Sequence, residues 1–314
     1  MKKKLISFIS LLALGLTASC ESPGFEASQT TANSLQISSA IDRTNAYLNR
    51  GDCAGALQVI QPLYSSLNTN NEIRLVTAST YGCFADLRVF DVALGLSSFS
   101  GNLGGAGFWE FLVQEFPSTS IPDDRKPVAA ENGIDAVISA VKPGIVAATS
   151  DFINTTSYNP GSLVVADRVN DANTYLTFLS MALMGSLLSR YGSPDSSNHR
   201  TSALPWLTAP TTPGDGCALA SATLNFYDGV TFLSSISPPN MAAVYSSMST
   251  MLASGLDSAC SLGCTLICAG ASTCTTCPFS LRDRTSCTGL TSDVNSCAAA
   301  GINTFINTSW VGTP

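Results

Sequence analysis

Eleven cysteines and a single histidine hold most of the chemical potential of this 314-residue chain. Beyond Cys20 there are ten cysteines: Cys53, Cys83, Cys217, Cys260, Cys264, Cys268, Cys274, Cys277, Cys287 and Cys297. An even set of this kind reads as disulfides in an oxidising compartment. A tetrathiolate zinc site is the alternative, since Cys274-Thr275-Thr276-Cys277 is a CxxC pair and Cys264 with Cys268 could supply a second. The surplus of cysteines in that stretch and the lack of a nearby histidine favour disulfides, with no metal or cofactor expected. His199 lies in the polar run Asp195-Ser196-Ser197-Asn198-His199-Arg200. As a general base it would need Asp195 to orient it, but no GxSxG elbow accompanies it, so a solvated loop histidine is expected. Glu110 with Glu115, or Asp123 with Asp124, are the carboxylate pairs available for glycoside hydrolysis. Adjacent acids on a loop are ordinarily just solvated, and the other spacing is uninformative. The glycine-rich run Gly101 to Gly107 matches neither GxGxxG nor a P-loop and reads as an inter-helix connection. No residue is assigned a catalytic role.

The elements that must position these groups are helical. Ile37, Ile41, Thr44 and Leu48 recur at three- and four-residue spacing, Gly51-Asp52 breaks the pattern, and Ala56, Leu57, Ile60 and Leu63 resume it. A further helix through Ile73, Val76, Ala78 and Tyr81 follows, with an expected partner through Leu87, Phe90, Val92 and Leu94. Phe108 to Phe116 reads as a short apolar helix ended by Pro117, Ile121 to Pro127 as a charged surface loop, and Gly133 to Thr149 as a helix broken at Pro143-Gly144. Tyr175 to Leu188 contains no charge; its fourteen residues are short for a membrane span and predict a fully buried central helix. Asp195 to Pro213 is expected as a surface excursion. Ala218 to Leu233 and Met241 to Leu256 predict two more helices. Residues 260–297, with seven cysteines, form a loop-rich disulfide insertion, and Asp293 caps a last helix over Val294 to Ile306. The fold class expected is all-α: antiparallel helical hairpins, stacked as repeats or as an irregular bundle, in one domain over 35–314.

The amino terminus reads as an address. Lys2, Lys3 and Lys4 precede an apolar stretch, Leu5 to Leu16, and small residues Ala18 and Ser19 stand before Cys20. Twelve residues make about 18 Å of helix against the roughly 30 Å of a bilayer core, so residues 1–19 are a cleaved signal and not a span. Residues 20–34, rich in Ser, Pro, Gly, Thr and Asn, are the expected tether. Removal of the signal leaves 12 of the 15 basic residues and all 22 acidic ones, a formal charge of −10. That balance excludes nucleic acid as a partner and excludes adsorption to anionic lipid through basic patches.

Leu16-Thr17-Ala18-Ser19-Cys20 resembles the lipobox of bacterial lipoproteins, with Thr17 at the place the family gives to leucine. The resemblance implies lipidation of Cys20, and Glu21 after it implies the outer membrane. Two or three acyl chains would hold the protein stably. The turn Gly51-Asp52 before Ala56-Leu57, with Tyr47 ahead of it, is similar to the middle of a tetratricopeptide (TPR) repeat; Thr44 and Tyr47 are followed 34 residues on by Ala78 and Tyr81. No Trp opens the first helix and no Pro closes the second, and the likeness covers about sixty residues. Stacked TPR units put the start of one helix beside the end of the next, which implies a disulfide between Cys53 and Cys83. In layout the chain resembles the lipidated TPR proteins associated with tripartite (TRAP) solute transporters. What the resemblance implies is a non-catalytic binding or scaffold protein, an accessory to solute transport, engaging a protein or small-molecule ligand. A surface-exposed structural or adhesive lipoprotein is the alternative, and a hydrolase acting through His199 a third.

Overall fold

The computed structural model describes residues 31–67, 70–98, 106–118, 125–141, 166–205, 214–236, 255–268, 274–282, 284, 287 and 294–312. Among them the regular structure is helical and no strand occurs. The signal stretch, Cys20, most of the tether, residues 101–105 of the glycine-rich run, Asp123, Asp124 and Asp293 lie outside the described residues. So does most of the helix expected over Met241 to Leu256. The chain divides into two units, Met1–Ser39 and Ala40–Pro314. Of the first, residues 31–39 are described and are helical. The second contains the core.

Helix α1 spans Thr31–Leu48 and α2 spans Cys53–Ser66. Gly51 between them has φ +72°, a left-handed conformation that costs glycine little and other residues more. Asp52 then caps α2 by accepting the Gly55 N–H at 2.8 Å. Helix α3, Asn71–Phe84, is started in the same way by Asn70, which accepts the Ile73 N–H. Next come α4 (Val89–Ser98), α5 (Ala106–Glu115) and α6 (Lys126–Val141). Then follow α7 (Ala166–Gly192) and α8 (Gly214–Ile236). A helix over 255–262, α9, runs on into a π-helical turn, Gly263–Ile267; a 3-10 turn, Phe279–Arg282, precedes α10, Val294–Ser309.

Helix α7 organises the bundle. From Leu176 to Ser189 its residues are buried on every side, against α6, α8 and α5. A helix apolar all round must be enclosed. That requirement also sets the packing: α2 packs on α3, α3 chiefly on α6, and α6 on α7, so the helices wrap a centre. The expected pairing of α3 with the helix through Leu87 to Leu94 is not the principal one, and Phe90 and Leu94 of α4 stay about half exposed. The all-helical class is as expected, and this packing does not by itself establish a stack of TPR-like repeats.

Two boundaries differ from expectation. Helix α6 begins at Lys126, not Gly133, because Pro127 in its first turn lacks only an N–H that would have no intrahelical partner there. Gly133 is then interior to the helix, packed on Leu179. The abundance of Ser and Thr also has a use inside helices. Thr44, Thr77, Thr80, Thr177 and Thr223 donate their buried hydroxyls to carbonyls four residues back, so these polar groups enter the core satisfied.

Close backbone approach marks the C-terminal quarter. A Cβ on Gly301 would stand 1.9 Å from the Ala259 carbonyl oxygen, and one on Gly263 2.0 Å from that of Cys297. No side-chain rotation relieves a clash with backbone. Gly301→Ala is therefore expected to destabilise the protein by about 2–3 kcal/mol, overpacking outweighing the gain in helix propensity. A shift of the denaturation midpoint to lower urea at unchanged slope checks it.

Candidate functional site

All ten cysteines after Cys20 are paired. Cys53, the first residue of α2, is bonded to Cys83, near the end of α3, with Cα atoms 5.6 Å apart. Cys217 of α8 is bonded to Cys287, and Cys268 to Cys297 of α10. Cys260 is joined to Cys277 and Cys264 to Cys274. The set considered for a metal, Cys264 and Cys268 with the CxxC, is divided among three different bonds. Among the described residues no group of three or more His, Cys, Asp or Glu is arranged to hold a metal ion.

The segment 260–297 is less loop-like than its composition implies. Cys260, Cys264 and Cys268 lie on or just after one helix at four-residue spacing, so their sulfurs leave from one face. Cys274 and Cys277 return along that face. Beside them Asp257, Ser258, Ser261, Leu262, Thr265 and Thr275 line an open polar cleft of about 420 Å³.

The segment is locked to the bundle by charge as well as sulfur. Arg282 makes a two-toothed pair with Asp228 of α8, Nη2 to Oδ1 at 3.0 Å, and both side chains are about nine-tenths buried. Asn225 Nδ2 and Ser221 Oγ donate to the Arg282 carbonyl, so Ser221, Asn225 and Asp228, at i, i+4 and i+7, receive this one residue on one helix face. Arg284 pairs with Glu131 of α6. The hydrogen bond to Glu131 is the largest influence on the Arg284 guanidinium and holds its pKa above the ordinary value. Nothing in the spacing of these residues announces the pairs, which join positions 54 and 153 apart in the chain.

His199 stands between two acids. Its Nε2 is 3.4 Å from Glu110 Oε1 of α5, and its Nδ1 is 3.9 Å from Asp195 Oδ2. The closer partner is thus Glu110, a residue considered on sequence only as half of a carboxylate pair. Glu115, the other half, sits beside Gly95 of α4. Burial, with help from Asp91, raises its pKa. Asp195 accepts the backbone N–H of Ser197 at 2.8 Å and of His199 at 3.0 Å, and so builds the turn that presents the ring. Its neighbour Arg200 is not a solvated loop residue: it is buried, and its Nε donates to the Trp310 carbonyl at 3.1 Å. Trp310 Nε1 donates in return to the Asn198 carbonyl, so the loop is fixed to the end of α10. Burial lowers the Arg200 pKa.

This geometry separates two roles. His199 is more than a third exposed, where ion pairs are worth little. His199→Ala is expected to change stability by less than about 0.5 kcal/mol, and Asp195→Ala, which frees two backbone donors, to cost about 1–2 kcal/mol. Equilibrium denaturation of the two variants, compared at one pH, checks the order.

Among the described residues no helix is long and apolar enough to cross a membrane. No protein-family model, curated protein or solved structure matches the chain, and its function is therefore argued from its own residues.

Proposed function

We propose that the chain is an exported lipoprotein, cut before Cys20 and held to the outer membrane by acyl chains on that cysteine, whose helical body is a non-catalytic binding or scaffold surface. The observation that carries this reading is the use of the cysteines. Ten are consumed in five disulfides, as suits an oxidising compartment, and the eleventh is the one that follows a charged, apolar and small-residue leader. Support for a binding role comes from α4, where Phe90 and Leu94 stand one turn apart and about half exposed. A protein partner would cover them.

The test is metabolic labelling with an alkyne fatty acid in cells making the native chain or Cys20→Ser. The native chain is expected to be labelled and to sediment with membranes. The variant is expected to lose the label and to pass largely to the soluble fraction, because no single remaining signal anchors it. A native chain that is unlabelled and soluble sinks the proposal. Crosslinking in the same cells, with mass spectrometry of the products, identifies the partner.

A further inference from the structure

Two of the five disulfides form a ladder whose sulfurs have a second use. Cys260 and Cys264 stand one turn apart, and Cys277 and Cys274 face them in reverse order. Cys277 Sγ lies 3.2 Å from the Leu256 carbonyl oxygen and Cys274 Sγ 3.2 Å from that of Cys260, so the rungs climb one helix face four residues apart. Four residues of helix rise about 6 Å. A tetrahedral thiolate centre, with metal–sulfur bonds of about 2.3 Å, places its sulfurs about 3.8 Å apart. Once both rungs open, the four sulfurs need an adjustment of only about 2 Å to surround one ion.

We propose that on reduction Cys260, Cys264, Cys274 and Cys277 become a tetrathiolate site for a soft or borderline cation of the zinc class. This goes beyond the lipoprotein reading and does not depend on it. The reductant is a dithiol. Two dithiol molecules give up four electrons and four protons, each closing to its own disulfide, while the two protein S–S bonds break to four thiols. The cation then displaces the thiol protons as it binds, since the thiolate is the ligand. Thiolate donors without carboxylate or imidazole select this metal class over calcium or magnesium.

Two features single out these rungs. Cys260 and Cys264 are fully buried, but their partners Cys274 and Cys277 are only partly so, and the loop carrying these borders the open cleft that also holds Thr275, so each rung is approached from one side. Every residue of Cys217–Cys287 and Cys268–Cys297, in contrast, is at most 8% exposed. Those protected bonds hold the same segment at Cys268 and Cys287, so the chain stays near α9 and α10 while the rungs are open. Cys53–Cys83 is also partly exposed, but it stands alone and offers only two sulfurs.

The test uses the full chain, reduced anaerobically with a phosphine, which does not compete as a thiol ligand, and titrated with Co²⁺. Visible bands of tetrahedral cobalt thiolate are expected, saturating at one ion per chain. Cys274→Ser combined with Cys277→Ser is expected to abolish them, and Cys53→Ser combined with Cys83→Ser to leave them unchanged. Native mass spectrometry of the reduced, unmutated chain with Zn²⁺ gives a readout that does not depend on how variants fold, with one zinc adduct expected. A reduced chain without tetrahedral bands, bands undiminished in the Cys274/Cys277 variant, or no zinc adduct would each overturn the proposal.

Discussion

Arg282→Met is expected to destabilise the protein by about 3–5 kcal/mol, the largest loss foreseen for any single substitution here. The cost arises less from the lost attraction than from what is left behind. Asp228 is about nine-tenths buried on α8, and without the guanidinium its carboxylate has lost its opposite charge in a place that water hardly reaches. The flexible methionine side chain occupies similar volume, so cavity formation adds little. Asp228→Leu combined with Arg282→Met removes both charges, and that double variant is expected to recover most of the loss. Guanidinium or urea titrations of the two single variants and the double variant form a cycle whose coupling should exceed about 2 kcal/mol. Coupling near zero would mean that the pair is solvated and that Arg282 matters only through its backbone carbonyl.

Removing the Cys217–Cys287 bond with two alanines is expected to cost about 4 kcal/mol. This bond closes 70 residues, the longest loop of the five, and a longer closed loop restricts the unfolded chain more. Both cysteines are buried, so alanine in their place introduces no unsatisfied polar group. The corresponding Cys53→Ala, Cys83→Ala variant, closing 30 residues, is expected to lose about 3.5 kcal/mol. Thermal and chemical denaturation of both under non-reducing conditions gives the comparison. Equal or inverted losses would argue that enthalpy within the folded state, and not loop length, governs the stabilisation. Because Cys287 and Arg282 tether the same segment to α8, combining their variants should cost less than the sum.

Much of the helical scheme was legible in the residues. Gly51-Asp52 marks a turn because a glycine free to take positive φ is followed by a side chain able to cap, and both functions are present. The uncharged run from Tyr175 to Leu188 identifies the enclosed helix because only burial on every side keeps about four turns of apolar surface away from water; only its ends, Ala166 and Gly192, run further than the pattern. The start of α6 was obscured by Arg125 and Lys126, whose charge resembles a loop although Pro127 is as well suited to a first helical turn. Periodicity speaks to partners a few residues away and is silent about distant ones. Hence Glu110 with His199, Asp228 with Arg282 and the bonds among seven closely spaced cysteines had no signal in local pattern. Arg200 was misplaced for the same reason: its run is polar, and its burial comes from Trp310, 110 residues on.

The connectivity of the five bonds also bears on how the chain would mature if it is threaded through a pore amino end first. Cys53 meets its mate as the next cysteine to emerge, so that bond can close in sequence. Cys217 must pass over five intervening thiols before Cys287 arrives, and Cys268 over three before Cys297. Oxidation in order of appearance would trap wrong partners throughout the last hundred residues, and a bond-shuffling catalyst becomes a requirement for that stretch alone.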